Sequence, residues 1–318
     1  MTDGDVPADA RPFGLETVAR ARARMSDELA AIGVAEAALE AKLLVAHAVA
    51  VPPSRLSFER ERRLTPTEAR VLAAMLRDRR QGRSVGRIVG QRAFHDIVLA
   101  VRDNVLEPRD DTGALVDLAL LHLRAVCDRG GSARLLDVGT GSGAVALALL
   151  AAEPRAVAVG TDINPDAVSA ARRNADRLGL ADRFASRRLP LLGDPADGPF
   201  DLVASNPPYI RSGDIAGLAA EVRHDPATAL DGGPDGLDFY RALAARAADV
   251  LAPEGWLAVE IGAGQGPDVR GIMASHGWIA AGARDDLGGH SRALAFERGR
   301  PVRRVAERGG GQGARSPL

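Results

Sequence analysis

Apolar residues in the first 80 positions recur at the spacing of amphipathic helices. Leu29, Ile32 and Leu39 are separated by three and seven residues, which places them on one helix face. The pair Thr65-Pro66 then supplies a cap and a first-turn proline before another such run. The pattern predicts a small all-helical N-terminal domain over residues 1–85.

The pattern changes to alternation after this domain. Ile97, Leu99 and Val101 lie on one face of an extended chain, and helical periodicity returns from Asp117 to Val126. We therefore predict a β-hairpin linker and a connecting helix over residues 86–125.

Short apolar runs that alternate with helical segments dominate the remainder of the chain. The predicted strands are residues 135–138, 156–162, 184–186, 200–205 and 256–261, with two further antiparallel strands at 278–283 and 292–296. Helices are predicted between them, the last of these from Tyr240 to Leu251. Such alternation indicates an α/β domain, residues 126–298, with a mostly parallel sheet covered on both faces. An Arg- and Gly-rich run without periodicity predicts a disordered tail, residues 299–318.

Composition narrows the possible compartments and partners. Hydrophobic residues make up 46% of the chain and the formal net charge is -1, so overall charge does not favour a nucleic acid or an anionic membrane. Cys127 is the single cysteine, which excludes an intramolecular disulfide. The acidic N-terminus lacks a signal-peptide pattern, and apolar runs are shorter than the ~20 residues of a membrane helix. We expect a cytoplasmic protein.

Several charged residues are open to two interpretations. Arginines from Arg77 to Arg87 are more typical of a solvated helix face than of a patch for an acidic partner. Glu221 and Asp225 are expected either to line a substrate entrance or to lie in a solvated loop. His224 and His290 lack a companion at metal-binding spacing, so no metal site is predicted.

A glycine-rich run follows the first strand of the α/β domain. It reads Gly139-Thr140-Gly141-Ser142-Gly143 and precedes a predicted helix. Glycines let the backbone approach a ligand closely, and the helix N-terminus presents free N–H groups. Asp162, about 20 residues further at the end of the second strand, is placed to accept hydrogen bonds from ribose hydroxyls. This pairing indicates a nucleoside cofactor, either a dinucleotide or S-adenosylmethionine.

The acid before the glycines favours the second cofactor. Asp137 stands two positions before Gly139, and the third glycine of the dinucleotide spacing is missing. A carboxylate stabilises a sulfonium cation and repels a pyrophosphate. We therefore expect S-adenosylmethionine, with Asp137 also bracing the turn.

A second polar motif ends the fourth strand. Ser205-Asn206-Pro207-Pro208-Tyr209 combines two prolines, which stop the strand, with an asparagine held extended by the proline after it. The Asn206 side-chain oxygen and the Pro207 carbonyl can accept hydrogen bonds from both N–H groups of a planar nitrogen. Tyr209 is expected to pack against that planar group. These residues predict an acceptor that is an amide or an aromatic amine.

Taken together, the motifs resemble the HemK/PrmC protein-(glutamine-N5) methyltransferases. The likeness covers nearly the whole chain. It rests on Val105 to Arg109, on the glycine run, on Ser205 to Ile210, on Ala229 to Tyr240, and on Asp286 to Arg292. It implies a class I S-adenosylmethionine-dependent methyltransferase fold, Rossmann-like with a seven-stranded sheet. It also implies methylation of the glutamine in the Gly-Gly-Gln motif of class I peptide-chain release factors, with the N-terminal domain helping to grip that substrate.

Two positions depart from the pattern of this family. The linker reads Pro108-Arg109-Asp110-Asp111-Thr112-Gly113, where the family usually has a second proline and a final acid. The acid that usually faces the adenine is replaced by Leu189-Pro190, and Leu191, which follows, is included among the expected cofactor-binding residues. Asp194 or a backbone carbonyl is the expected substitute for that acid.

Three alternatives remain open from the sequence. An adenine-N6 methyltransferase acting on DNA or RNA uses the same kind of clamp, although it needs a basic groove for its substrate. A glutamine of a ribosomal protein is another acceptor. A catalytically silent adaptor is the alternative that the altered adenine position suggests.

Overall fold

The computed structural model describes residues 13–192 and 198–299. The tail predicted for residues 299–318 therefore lies, apart from Gly299, outside the described residues. The N-terminal region contains four helices, α1 Val18–Ala31, α2 Ala37–Ala48, α3 Pro66–Arg80 and α4 Val85–Val89. None of the helices in the described part of the chain is both long and apolar enough to cross a bilayer.

Capping and burial explain why these helices form. Thr65 caps α3 in a capping box, in which its hydroxyl accepts from Glu68 N and its own N–H donates to the Glu68 carboxylate. Met25, Leu44 and Leu72 come from the first three helices and are fully buried together. The amphipathic faces predicted from the sequence thus meet in one small core.

A hairpin and a long helix connect this region to the sheet. The hairpin pairs β1 Gln91–Phe94 with β2 Ile97–Ala100, and α5 Gly113–Gly130 follows a short linker. Phe94 and Leu99 of the hairpin are buried in the same core as Leu115 of α5. The hairpin therefore packs as part of the α/β core.

Seven strands form the central sheet. They are β3 Ala133–Val138, β4 Ala156–Asp162, β5 Phe184–Arg188, β6 Phe200–Ser205, β7 Leu251–Glu260, β8 Trp278–Asp285 and β9 Ser291–Arg298. Their order across the sheet is β5-β4-β3-β6-β7-β9-β8, and β9 is antiparallel to both of its neighbours. The helices between them are α6 Ala144–Ala152, α7 Pro165–Arg177, α8 Asp238–Arg246 and α9 Gly266–Ser275. The mostly parallel seven-stranded sheet is confirmed.

Helices cover both faces of this sheet. Successive residues of β3 point to opposite faces, so Leu135 joins the core beneath α5 and α6 while Leu136 joins the core that contains α8 and α9. Because both faces are buried, the ligand-accessible part of the sheet is the edge at which the parallel strands end.

The predicted helix from Tyr240 to Leu251 is wrong at its C-terminal end. Helix α8 ends at Arg246 and a short 3-10 helix, Ala247–Asp249, continues it, so the prediction fails only at its last two residues, because β7 begins at Leu251. Pro253 follows directly and disfavours helical geometry in the residue before it. Val250 instead accepts a hydrogen bond from Phe200 N at 2.8 Å, which begins the pairing with β6.

Candidate active site

The glycine-rich run forms a tight turn between β3 and α6. Gly139, Gly141 and Gly143 have φ angles of 71°, 56° and 85°, a region that glycine adopts without strain. A Cβ atom on Gly143 would lie 2.8 Å from Cδ1 of Leu147. The turn therefore needs glycine there, and Gly139, Thr140, Gly141 and Ser142 line a cleft at the carboxyl edge of the sheet.

Asp137 lies buried at the base of this turn. Its Oδ2 accepts hydrogen bonds from Thr140 Oγ1 at 2.7 Å and from Ala146 N at 3.3 Å. Burial raises the pKa of Asp137 to about 6, although both hydrogen bonds act in the opposite direction. The carboxyl braces the turn and carries a negative charge at neutral pH on the wall of the cleft.

Asp162 ends β4 across the same cleft. Its two oxygens accept from Gly141 N at 3.0 Å and from Asn164 N at 2.8 Å. Burial raises its pKa, and these backbone hydrogen bonds offset part of that effect. Each oxygen keeps a lone pair for a further donor, so the carboxylate can bind a pair of hydroxyl groups.

The clamp motif ends β6 beside the glycine turn. Asn206, Pro207 and Pro208 line the cleft, and Asn206 Nδ2 donates to Thr112 Oγ1 at 3.0 Å. That bond uses the amide nitrogen and leaves Oδ1 for a ligand. Tyr209 is not among the residues that line the cleft; its hydroxyl donates to Glu260 Oε1 at 3.4 Å. The geometry brings three of the four predicted clamp residues to the ligand side and puts Tyr209 behind them.

Apolar groups form the wall at which the family usually has an acid. Leu189 and Leu191 both line the cleft. The backbone is held there by Leu189 N, which donates to Asp162 O at 3.1 Å, and by Thr161 Oγ1, which donates to Leu191 O at 2.7 Å. Asp194, the acid considered as a substitute, lies outside the described residues.

The cleft encloses about 1030 Å³, including its open mouth. Its walls include residues that the sequence analysis did not assign to the site, namely residues 105–109, Thr112, Pro226, Thr228, Ala229 and Phe239. A signal for Thr112 was present, because it belongs to the linker motif shared with the related family. Residues 105–109, Ala229 and Phe239 also belong to motifs shared with that family, whereas Pro226 and Thr228 carried no such signal.

A buried cluster of charges holds that loop against the N-terminal helices. Asp225 is 6% exposed and accepts from Arg87 Nη2 and Arg109 Nη2, both at 2.5 Å. Arg79 is 9% exposed and pairs with Glu221 at 3.0 Å. The interpretation of these arginines as a solvated face is wrong for Arg79 and Arg87, and a solvated position is wrong for Asp225. Acids distant in the sequence neutralise the arginines, which allows burial.

Comparison with known proteins agrees with this geometry. A family model described as PrmC N-terminal domain matches residues 20–90, and one described as Methyltransferase small domain matches residues 111–233. The release factor glutamine methyltransferase of Agrobacterium fabrum is 44% identical over 85% of this chain and 93% of its own length. That of Rhodospirillum rubrum is 43% identical over 94% of this chain and 92% of its own length.

A solved structure extends the comparison to the fold alone. The hMettl16 catalytic domain in complex with MAT2A 3'UTR hairpin 1 has a TM-score of 0.51 and 15% identity, and the match covers 74% of this chain and 83% of that one. The identity to the two bacterial relatives is far higher and extends over nearly their whole length. The chain belongs to the release factor glutamine methyltransferase family.

Proposed function

We propose that this protein transfers the methyl group of S-adenosylmethionine to the side-chain amide nitrogen of a glutamine in a class I peptide-chain release factor, the glutamine of its Gly-Gly-Gln motif. The proposal rests on the orientation of the Asn206 side-chain amide. Its nitrogen is held by Thr112, so its oxygen is available in a cleft that also contains the glycine turn.

The residues of the cleft fit the cofactor. The turn from Gly139 to Gly143 lets the backbone approach it, Asp162 accepts from the two ribose hydroxyls, and Asp137 supplies negative charge near a sulfonium group. Leu191 contributes to an apolar wall suited to the adenine ring. When bound, S-adenosylmethionine supplies an electrophilic methyl group. The chain's own contribution is to hold the acceptor in line with that group.

The clamp residues orient the acceptor nitrogen. The lone pair of an amide nitrogen is delocalised, so a free amide is a poor nucleophile. The Asn206 oxygen and the Pro207 carbonyl accept hydrogen bonds from its two N–H groups, which fixes the plane of the amide and favours charge development on nitrogen. Tyr209 supports the clamp from behind through Glu260. In the transfer, the acceptor nitrogen would take the methyl group as the carbon–sulfur bond breaks and the sulfur leaves as a neutral thioether, and the nitrogen would then lose one proton to solvent.

The helical N-terminal domain, residues 1–85, is proposed to grip the release factor outside the cleft. The pair Arg79–Glu221 supports this role, because it joins that domain at 3.0 Å to the loop that continues into the wall of the cleft. We further propose that nucleic acid is not a direct substrate and that the enzyme acts in the cytoplasm, where its substrate is found.

The test uses labelled S-adenosylmethionine with a purified release factor and with the same factor carrying alanine in place of the motif glutamine. Label is expected in the first factor and not in the second. Equal labelling of both would contradict the proposal, and labelling of an added oligonucleotide instead would favour an adenine methyltransferase. The Asn206→Ala variant should lose transfer while it retains donor binding measured by calorimetry, which separates a clamp defect from misfolding.

A further inference from the structure

Thr112 occupies the N-cap position of α5 but does not cap the helix. A side-chain cap requires an extended backbone at this position, whereas Thr112 has φ -62° and ψ -17° and ends the short 3-10 helix Asp110–Thr112. Here no side-chain cap hydrogen bond forms, and the hydroxyl, on a residue only 3% exposed, accepts from Asn206 Nδ2 at 3.0 Å. A capping interaction is thus absent at a helix start that lies directly beside the clamp.

Glu260 lies behind Thr112 at the end of β7 and is 1% exposed. Its Oε1 accepts from the Tyr209 hydroxyl, whereas Oε2 has no hydrogen-bond partner among the described residues. The Thr112 hydroxyl is near enough to lower the pKa of this carboxyl, against the larger effect of burial, which raises it to about 7. Burial of a carboxylate oxygen without a hydrogen-bond donor costs free energy, so we expect one more donor to face Oε2.

The Thr112 hydroxyl has one proton, and this decides the orientation of the Asn206 amide. If that proton points to an ionised Glu260, the oxygen of Thr112 can only accept, so Asn206 must present its NH₂ group to Thr112. If Glu260 is protonated, Thr112 is released to donate to Asn206 Oδ1. The amide then turns over and presents N–H groups to the substrate, which also presents N–H groups.

We propose that Thr112 and Glu260 are positioning residues that set the rotamer of the Asn206 amide and so keep its oxygen on the substrate side. The proposal rests on the proposed function, because it assigns these residues to the same methyl transfer. The orientation of the Asn206 amide is a property of the free protein, so it can be measured without substrate.

The groups that face Glu260 shape its titration. Arg292 of β9 lowers the pKa of Glu260, and Asp111 of the linker raises it. Tyr209 donates to it from the clamp, and Tyr240 of α8 donates to its backbone carbonyl at 2.9 Å. The pKa values of both tyrosines are raised, chiefly by burial, so neither changes charge near neutral pH. Glu260 is therefore the group of this set that changes charge near pH 7.

The kinetic test compares Thr112→Val with Thr112→Ser. Valine has the shape of threonine but cannot accept or donate, so kcat should fall roughly 10- to 100-fold with an unchanged KM for the donor. Serine keeps the hydroxyl and should recover most of the rate. The kcat of the wild type should rise with pH to a plateau with a midpoint near 7, and Glu260→Gln should be slow and insensitive to pH.

The second arm uses nuclear magnetic resonance of the full chain without substrate. The Asn206 side-chain NH₂ signals, identified by their loss in Asn206→Ala, should shift with pH near 7 in the wild type and not in Thr112→Val or Glu260→Gln. The positioning role would be overturned if Thr112→Val reacted at the wild-type rate. It would also be overturned if the Asn206 signals of the wild type did not shift with pH. Failure of the wild type to methylate a release factor would overturn the proposed function instead, and the spectra would still decide the amide orientation.

Discussion

The sharpest stability prediction concerns Asp225, which joins three parts of the molecule. Its side chain contacts Arg87 in α4, Arg109 in the linker and the backbone N–H of Glu107. The loop that follows it lines the cleft. Replacement of Asp225 by Asn keeps the shape of the side chain and removes its charge, so this variant tests the electrostatic contribution of the cluster.

The size of the effect follows from the burial of each partner. The Asn amide has one acceptor oxygen, so its NH₂ group must face an arginine donor. Arg109 has a side chain 29% exposed and can turn to water, but that of Arg87 is 3% exposed and cannot. Loss of one partner of a buried ion pair costs about 3–5 kcal/mol. Arg87 keeps two backbone carbonyl acceptors at 2.9 Å and two more distant carboxylates, Asp103 at 3.6 Å and Glu107 at 3.9 Å, so we expect about 2–4 kcal/mol for Asp225→Asn.

The assay is thermal unfolding followed by circular dichroism or calorimetry. For a chain of this size about 2 °C corresponds to 1 kcal/mol, so the transition should fall by about 4–8 °C. Asp214→Asn is the matched control, because it removes the same charge from an exposed position of the same loop. If the two variants unfold at the same temperature, the buried cluster does not stabilise the molecule as argued.

Three further predictions concern the donor side of the cleft. Asp162→Ala should weaken S-adenosylmethionine binding by roughly 10- to 100-fold in calorimetry, whereas exposed Asp176→Ala should not change it. Burial raises the pKa of Asp137 to about 6, so the ionised form that attracts the sulfonium is lost below that pH. The affinity for the donor should therefore fall on acidification in the wild type. In Asp137→Asn the affinity should be low and should not depend on the charge at this position. Gly143→Ala should cost about 1–2 kcal/mol in denaturant unfolding because φ is 85°, whereas Gly271→Ala, with open space in α9, should be neutral or stabilising.

Most of the fold could be predicted from local patterns. Strand and helix positions follow from periods of two and 3.6 residues, and caps such as Thr65 and Asn164 lie at the expected helix starts. The error at α8 has the same origin, since Ala-rich residues after Arg246 suit a helix locally. Those residues do form a 3-10 helix as far as Asp249, and pairing of Val250 with Phe200, about 50 residues earlier in the chain, ends it there.

The position of the glycine turn and of the motif at Asn206 at the edge of the sheet was also predictable, because each is one continuous motif with its own geometry; their roles stay predictions. The supporting contacts were not. Asn206 and Thr112 are 94 residues apart, and Arg87 and Asp225 are 138 apart. Such pairs depend on the order of strands in the sheet, which no local period encodes. The orientation of the Asn206 amide, which depends on its bond to Thr112, is therefore visible only in the folded chain.

The departures from the family motif in the linker, at Asp110 and Gly113, are compatible with the contacts of the cleft. Asp110 and Asp111 pair with Arg92 and Arg292, but both acids have side chains more than half exposed, so each pair contributes only about 0–1 kcal/mol. At Gly113, where the family usually has an acid, a side chain would meet nothing within 4 Å. Thr112, between these positions, is buried and bonded to the clamp. The positions that depart from the family motif are thus exposed or only partly buried, while the buried hydroxyl that contacts Asn206 is present.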